Sequence, residues 1–587
     1  MCGLVGKIKF NGNHVEKSEI EKMLELIIHR GPDAGDIWTE KNIGLGHRLL
    51  KIQDLSENSI QPYINEDFVM SYNGEIYNFA DIKSELILKG KTFKSDGDTE
   101  VLIKAFSSWG IEKTLKKIEG CFAIALFNKK ARKMYLIRDR FGIKPLHFYK
   151  DEECIVFASE IKSILANSNI RKDYNYETVM ISLASKLWMD PELTFFKDIY
   201  TIEPGTYLEI NNDSVVKKYY YELSYDNGIN DENVAVNQFA NIFEDSVRKK
   251  LISKVPIAAF LSGGIDSSLL CKVANDNLQE PLNTYTIHYN NDNDLDLNHA
   301  LELVNKEKFK QHNILIANEH YMLKQIDEVI YHIEEILIDK VYISVYFNYK
   351  AAKNDGFTVV LNGQGSDEVW LGYIFNWGIF KFINQNDNID TLLKEYFIPN
   401  MIFGNKLKPD IKHNIEKTLR DYLNRNLVKY QKDKDEDDKL NNYSIMAIRT
   451  ILHNLLLQED KLAMAHSVES RVPFVDSHKL VELSMSISGN IKIKDGREKY
   501  IPRTYGKSFL PQSIVDRKKY AFPEPPSVYN HQIKEICMDN WKQISGGRMA
   551  KEIILPEYLN SINNFSDVEL WWLLVYWRFE KVFVMEG

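Results

Sequence analysis

At 587 residues the chain is too long for one ordinary core, so two or three domains are expected. With 44% apolar and 27% charged residues it reads as globular, and a net charge of −9 gives no electrostatic ground for a nucleic-acid partner. Five dispersed cysteines (Cys2, Cys121, Cys154, Cys271, Cys537) form no CxxC pair, which points to a reducing, cytoplasmic setting, and no apolar run approaches the roughly 20 residues of a membrane span.

The first 200 or so residues read as strand-rich, with strands expected over 2–10, 67–72, 121–127, 133–138, 154–158 and 206–210, and helices over 16–28 and 98–109. Lys7 and Lys9 interrupt the first apolar stretch, unlike a secretory signal. The polar residues 224–233 mark a linker. Beyond it, a helix over 236–251 leads to a strand over 255–261 and then to alternating helices and strands, the pattern of a parallel sheet. After about residue 375 the chain reads as mostly helical, with a charged, solvated loop over 432–439 and a buried helix over 570–577.

Two places carry chemistry. Removal of Met1 would leave Cys2 with a free α-amino group beside its thiol, a base of unperturbed pKa about 7.7–8.0 next to an acyl-transfer nucleophile. Farther on, the 255–261 strand enters Ser262-Gly263-Gly264-Ile265-Asp266-Ser267-Ser268, with a helix expected from Leu269. Two glycines admit an anion to the backbone, and amides at a helix start point at it. Asp266 would repel phosphate directly, so Mg²⁺ coordination or loop rigidity is its expected role. No lysine follows as a Walker loop requires. A second strand end, Leu361-Asn362-Gly363-Gln364-Gly365-Ser366-Asp367-Glu368, again sets glycines before acidic residues, and a third segment, Gln458-Glu459-Asp460-Lys461 with Met464 to Phe474, alternates buried-looking charges with apolar residues, for which structural ion pairs are the plain reading.

The glycine loop resembles that of the ATP pyrophosphatases. With Met1-Cys2-Gly3, Arg30-Gly31-Pro32-Asp33, Tyr72-Asn73-Gly74-Glu75-Ile76-Tyr77-Asn78, Asp96-Gly97-Asp98-Thr99-Glu100, Arg138 to Leu146 (RDRFGIKPL) and Phe157-Ala158-Ser159-Glu160, the chain resembles the glutamine-hydrolysing asparagine synthetases over nearly its whole length. The resemblance implies an α/β protein: an N-terminal-nucleophile αββα glutaminase sandwich over 2–218, then a parallel-sheet ATP-pyrophosphatase domain with a helical C-terminal part over 234–587. It implies Cys2 as nucleophile, with the Asn73 side chain and the Gly74 amide as oxyanion donors. It implies a glutamine pocket of Arg48, Leu49, Leu50, Lys51, Ile52, Gln53, Asn73, Gly74, Glu75 and Asp98, with Asp98 on the substrate ammonium. Phe260, Leu261, Ser262, Gly263, Gly264, Asp266, Ser267, Ile287, Asn362, Gly363 and Lys499 are implied for ATP, Asp266 and Asp367 for Mg²⁺, and Gln364 for the acceptor. The substrates would be glutamine, ATP and aspartate or another carboxylate. A homodimer is a family expectation.

Two departures stand out. The family places an arginine where this chain has Leu49, so the glutamine carboxylate would fall to Arg48 or Lys51. The family's glutamate at the second strand end is Gln364, which cannot take a proton from ammonia, and residues 336–344 also depart from the pattern. Asparagine synthesis is the leading reading. The others are an amidotransferase for another carboxylate, such as a uronic acid, a ring-forming relative without glutamine, and an idle nucleotide- or glutamine-binding protein.

Overall fold

A computed structural model describes residues 2–185, 190–211, 214–289, 295–317, 319–373, 388–430, 436–518 and 528–584. Strand Cys2–Lys9 organises the N-terminal half because both of its faces are apolar: Leu4 and Ile8 meet the second sheet, and Val5 meets helix Lys17–Glu25. It lies in an antiparallel sheet ordered Ile199–Thr201, His147–Lys150, Cys154–Ala158, Cys2–Lys9, Ile43–Leu49, Ala34–Glu40. A second antiparallel sheet runs Val215–Tyr219, Thr206–Ile210, Lys133–Arg138, Gly120–Asn128, Phe68–Ile76, Tyr63–Ile64. Leu4, Leu45, Val69, Ala125 and Phe127 fill the space between the sheets, while Met70, Leu102 and Phe106 seal helix Asp98–Trp109 onto the second sheet's outer face. The order helix, sheet, sheet, helix is the αββα sandwich expected.

Helix Glu232–Lys250, capped by the Asp231 side chain accepting from Val234 N at 2.9 Å, opens the C-terminal half. There a fully parallel sheet runs Gln311–Ile316, Asn283–His288, Ile257–Phe260, Val359–Leu361, Glu469–Arg471. Helices follow to the end, and Asp567–Phe579 is the apolar, buried one foreseen over 570–577.

Three local expectations change. The strand expected over 67–72 runs on through Asn73-Gly74 to Ile76; nine residue pairs with Gly120–Asn128 hold it extended. The helix after the glycine loop starts at Ile265, four residues early, since extended Gly264 already serves as its N-cap and puts Asp266 and Ser267 in the first turn. Of the charged run 432–439, residues 432–435 lie outside the described residues, and 436–439 open helix Glu436–Ala447, which buries Leu440 and Tyr443.

Candidate functional sites

Cys2 starts its strand beside two others that aim groups at it. On one side lies Phe68–Ile76, where Asn73 Oδ1 accepts a hydrogen bond from Cys2 N at 2.9 Å. The same amide's Nδ2 is buried and has no hydrogen-bond partner among the described residues. A buried donor without a partner is costly unless something arrives to accept from it. Gly74 follows at φ +156, and a Cβ there would come within 2.1 Å of the Cys121 carbonyl oxygen, so only glycine fits. Burial pushes the Cys2 thiol up, against the lowering pull of the chain's N-terminal charge and of a hydrogen bond from the Leu50 backbone. Arg30 Nε holds the Cys2 carbonyl at 3.1 Å.

A pocket opens from Cys2, lined by Leu49, Leu50, Lys51, Ile52, Gln53, Asp54, Tyr72, Gly74, Glu75, Asp98 and Thr99, among others. Asp98 is the first residue of its helix, and its Oδ2 accepts from Tyr72 Oη at 2.8 Å and Ile76 N at 2.9 Å. Burial raises the Asp98 carboxyl against those two bonds. Glu75 accepts from Gln53 Nε2, and burial, then Glu469 and Asp98, hold its carboxyl well above the usual range.

The strand register decides between Arg48 and Lys51. Cys2 pairs with Leu49 and Gly3 with Arg48, so successive side chains leave on opposite faces. Leu49 faces the pocket. Arg48 projects the other way, with Nε 3.3 Å from the Leu24 carbonyl, beside Lys17, Glu21 and Asp36. The expectation that Arg48 takes part in the glutamine pocket is therefore corrected. Lys51 is the pocket's one lining cation among the described residues; its Nζ is 2.7 Å from Glu57, an exposed and exchangeable partner. Sequence reading missed Asp54, Gln61 and Tyr72, although Tyr72 stood inside a quoted motif.

The second site lies at the carboxyl ends of the parallel strands, where α/β sheets present ligands. A cleft of about 320 Å³ is bordered by Phe260, Ser262, Gly264, Asp266, Ser267, Asn362, Gly363, Gln364 and Asp367. Gly263, at φ +68, packs its α-carbon against Asp296 and Ala300, leaving no room for a Cβ. Ser267 Oγ accepts from Ser262 N at 3.1 Å and closes the loop on itself. Leu261, Gly263 and Ile287 support the cleft from below and do not border it. Lys499 is fully buried; its ammonium is held by Asp266 and lies 2.6 Å from Asp367, beneath the cleft and not on its wall. Asp266 Oδ1 also accepts from Ser366 Oγ at 2.6 Å. Two carboxylates sharing one ammonium are a hard-oxygen set with a surplus negative charge, which fits Mg²⁺. Sequence reading missed Arg503, Arg517 and Lys518, the cleft's cations, which lie far along the chain with no motif around them.

The two sites share one helix, His453–Met464. Its Asp460 receives Arg30 Nη2 at 2.6 Å and Lys144 Nζ at 3.2 Å from the sandwich, while its Lys461 pairs with Glu334 at 2.9 Å. Glu334 in turn accepts from the Ile161 and Lys162 amides at 2.8 and 2.7 Å. Arg471, on the last parallel strand, has Nη2 4.0 Å from Glu75 of the glutamine-type pocket. Every one of these groups is buried.

An αββα sandwich that opens on Cys2, joined through buried ion pairs to a parallel sheet with a glycine loop, has the two-centre plan of an amidotransferase–synthetase. Residues 1–221 match the family model of a glutamine amidotransferase domain, and residues 238–570 match that of asparagine synthase. The chain belongs to the asparagine synthase family. Among its relatives is asparagine synthetase [glutamine-hydrolyzing] 1 of Bacillus subtilis, 29% identical over 564 residues, covering 89% of this chain and 87% of that one. Asparagine synthetase [glutamine-hydrolyzing] 3 of the same organism is 28% identical over 547 residues with the same coverage. A putative asparagine synthetase of Methanocaldococcus jannaschii is 33% identical over 400 residues, covering 64% of this chain and 76% of that one.

Proposed function

We propose that the protein amidates a carboxylate, with aspartate as the leading acceptor, using ammonia released from glutamine at Cys2 and ATP to activate the acceptor. The observation that carries the first half is the divided role of Asn73, whose oxygen accepts from the Cys2 backbone N–H, the group that becomes the α-amine once Met1 is removed, while its nitrogen has no partner among the described residues. Once Met1 is removed, the Cys2 amine takes the thiol proton, and the thiolate attacks the glutamine amide carbon. The oxyanion that forms is met by Asn73 Nδ2 and the Gly74 amide. Ammonia leaves, and water hydrolyses the thioester to glutamate. Lys51 holds the substrate carboxylate, and Asp98 with Glu75 holds its ammonium.

In the second centre the acceptor carboxylate attacks the α-phosphorus of ATP, giving an acyl adenylate and pyrophosphate, and ammonia then displaces AMP. The glycine loop and the first turn of helix Ile265–Asn277 supply donors to the phosphates. Asp266 and Asp367 would hold Mg²⁺, which neutralises phosphate charge. Closure against water protects the adenylate until ammonia arrives.

Val341, Tyr342, Val345 and Leu455 line the cleft with Gln364, alongside the carboxylates of Asp339 and Glu459. The neutral Gln364 in place of the family's glutamate supports a second reading, in which the acceptor is another carboxylate such as a uronic acid. Incubation with MgATP, glutamine and either aspartate or uronic-acid sugars, following pyrophosphate and amide, separates the two. Aspartate-stimulated pyrophosphate release is the expected result; release indifferent to aspartate overturns that acceptor.

Three substitutions test the glutamine pocket. Asn73→Ala is expected to lower glutamine hydrolysis by about 10²–10³-fold, the usual effect of losing one oxyanion donor. Lys51→Ala is expected to raise the glutamine KM by about 10–100-fold, the value of a charge-assisted hydrogen bond, while Arg48→Ala leaves it unchanged. Steady-state glutamate release measures all three, and a KM that responds to Arg48 instead of Lys51 refutes the assignment.

A further inference from the structure

We propose that Glu459 receives the proton that ammonia sheds as it attacks the activated carboxylate, the role for which Gln364 lacks the chemistry. This rests on the acyl-adenylate reading above. Glu459 lies half-buried on the wall of the same cleft as Gln364, in helix His453–Met464. The two residues hang on one amide: Asn362 Oδ1 accepts from Gln364 N at 2.9 Å, and Asn362 Nδ2 donates to Glu459 Oε1 at 2.7 Å. Tyr349 Oη also donates to Oε1, and Ser470 Oγ lies 3.5 Å from it. Three donors from three different elements thus fix one oxygen of the carboxylate. None of these three reaches Oε2, which is left to serve the cleft.

The position along the helix suits the role. The next residue, Asp460, turns to Arg30, which holds the Cys2 carbonyl, so Glu459 stands where the contact with the sandwich meets the cleft. Ammonia arriving from the sandwich side meets this carboxylate beside the adenylate. Its nitrogen forms a bond to the acyl carbon. The bond from that carbon to the AMP oxygen breaks, and its electron pair leaves with AMP. One N–H proton passes to Glu459 Oε2 and from there to solvent.

The electrostatics agree. Burial lifts the Glu459 carboxyl to about 7, against the lowering effect of hydrogen bonds from Tyr349 and Ser470, with a further small rise from Asp460. The other titratable groups near this corner include Tyr342, Glu335, Asp339 and Tyr373, and Arg503, Arg517 and Lys518 line the same cleft. A base with a pKa near the working pH combines availability with proton affinity. The sign is that of a base: the amide-forming rate climbs as pH rises through about 7 and Glu459 ionises.

The test uses the full chain supplied with ammonium, MgATP and the acceptor, so that Cys2 is bypassed. Glu459→Gln is expected to cut amide formation about 100-fold, at the low end for a lost general base, while acceptor-dependent pyrophosphate release falls less than tenfold. With the free NH3 concentration held constant across pH, the remaining turnover loses the rise near pH 7. Glu459→Asp, which keeps a carboxylate, retains that rise at reduced rate. Glutamate release from glutamine checks that each variant is folded. Equal loss of pyrophosphate and amide in Glu459→Gln, an undiminished amide rate, or a Glu459→Asp enzyme without the pH limb overturns the proposal. A wild-type protein that releases no pyrophosphate in response to any acceptor refutes the reading it rests on instead.

Discussion

Replacing Cys2 by alanine is expected to lower glutamine-driven amide synthesis by about 10⁴-fold or more, while synthesis from added ammonium continues. The size follows from the chemistry: without a thiolate no thioester forms, and losing a nucleophile costs far more than losing one oxyanion donor. The selectivity follows from the fold. Cys2 belongs to the first antiparallel sheet, whereas the glycine loop, Asn362 and Asp367 belong to the parallel sheet. Cys2 contributes to the border of one pocket and not to the other. Alanine keeps the backbone contacts of the position, the N–H to Asn73 and the carbonyl to Arg30, so the sandwich stays intact. Parallel assays with glutamine and with ammonium as nitrogen source decide the matter. Loss of both activities would mean that the two centres cannot be separated, and retention of the glutamine-driven activity would remove Cys2 from the mechanism.

What the sequence made legible were the parts written as short contiguous strings. Cys2, the Asn73-Gly74 pair and the glycine loop each sit in one run of residues whose chemistry can be named without a fold. The individual elements were legible for a related reason, since each strand or helix announces itself by its own periodicity, whereas the αββα order of layers came from the family resemblance. Arg48 shows the first limit. Alternation along a strand would have excluded it, but only once residues 43–49 are known to be a strand paired with Cys2–Lys9. Glu459 shows the second. It stood in a charged segment whose bland reading was a structural ion pair, and Asp460 and Lys461 do form such pairs. Only the packing against Asn362, 97 residues earlier, separates Glu459 from them. Lys499 shows a third: the resemblance implied it for ATP, and only the fold shows that Asp266 and Asp367 share its ammonium.

Asp460 is where the largest loss of stability is expected. Arg30 and Lys144 are both fully buried in the sandwich, and Asp460 balances both of them across 430 and 316 residues of chain. Removing one partner of a buried pair strands the other charge in a medium that cannot solvate it, at a cost of about 3–5 kcal/mol. Asp460→Ala leaves Lys144 without the carboxylate 3.2 Å from its Nζ and Arg30 with Glu160 alone, at 2.8 Å. The first thermal transition is therefore expected to fall on the order of 5 °C or more. The functional consequence is distinct from the stability loss. Arg30 holds the Cys2 carbonyl with Nε and Asp460 with Nη2, so one guanidinium ties the nucleophile's strand to the helix that carries Glu459. On the proposed mechanism, slackening that tie is expected to let ammonia escape between the centres. The ratio of glutamate released to amide formed should rise well above one in Asp460→Ala, at a temperature below its transition, while ammonium-driven synthesis is affected less. Asp460→Asn keeps the shape and a hydrogen-bond acceptor but not the charge, and should fall between Asp460→Ala and the wild type in both readouts. An unchanged ratio in a variant whose melting transition has dropped would make Asp460 a structural support alone, with coupling carried by other contacts such as Glu334 with Lys162 and Lys461.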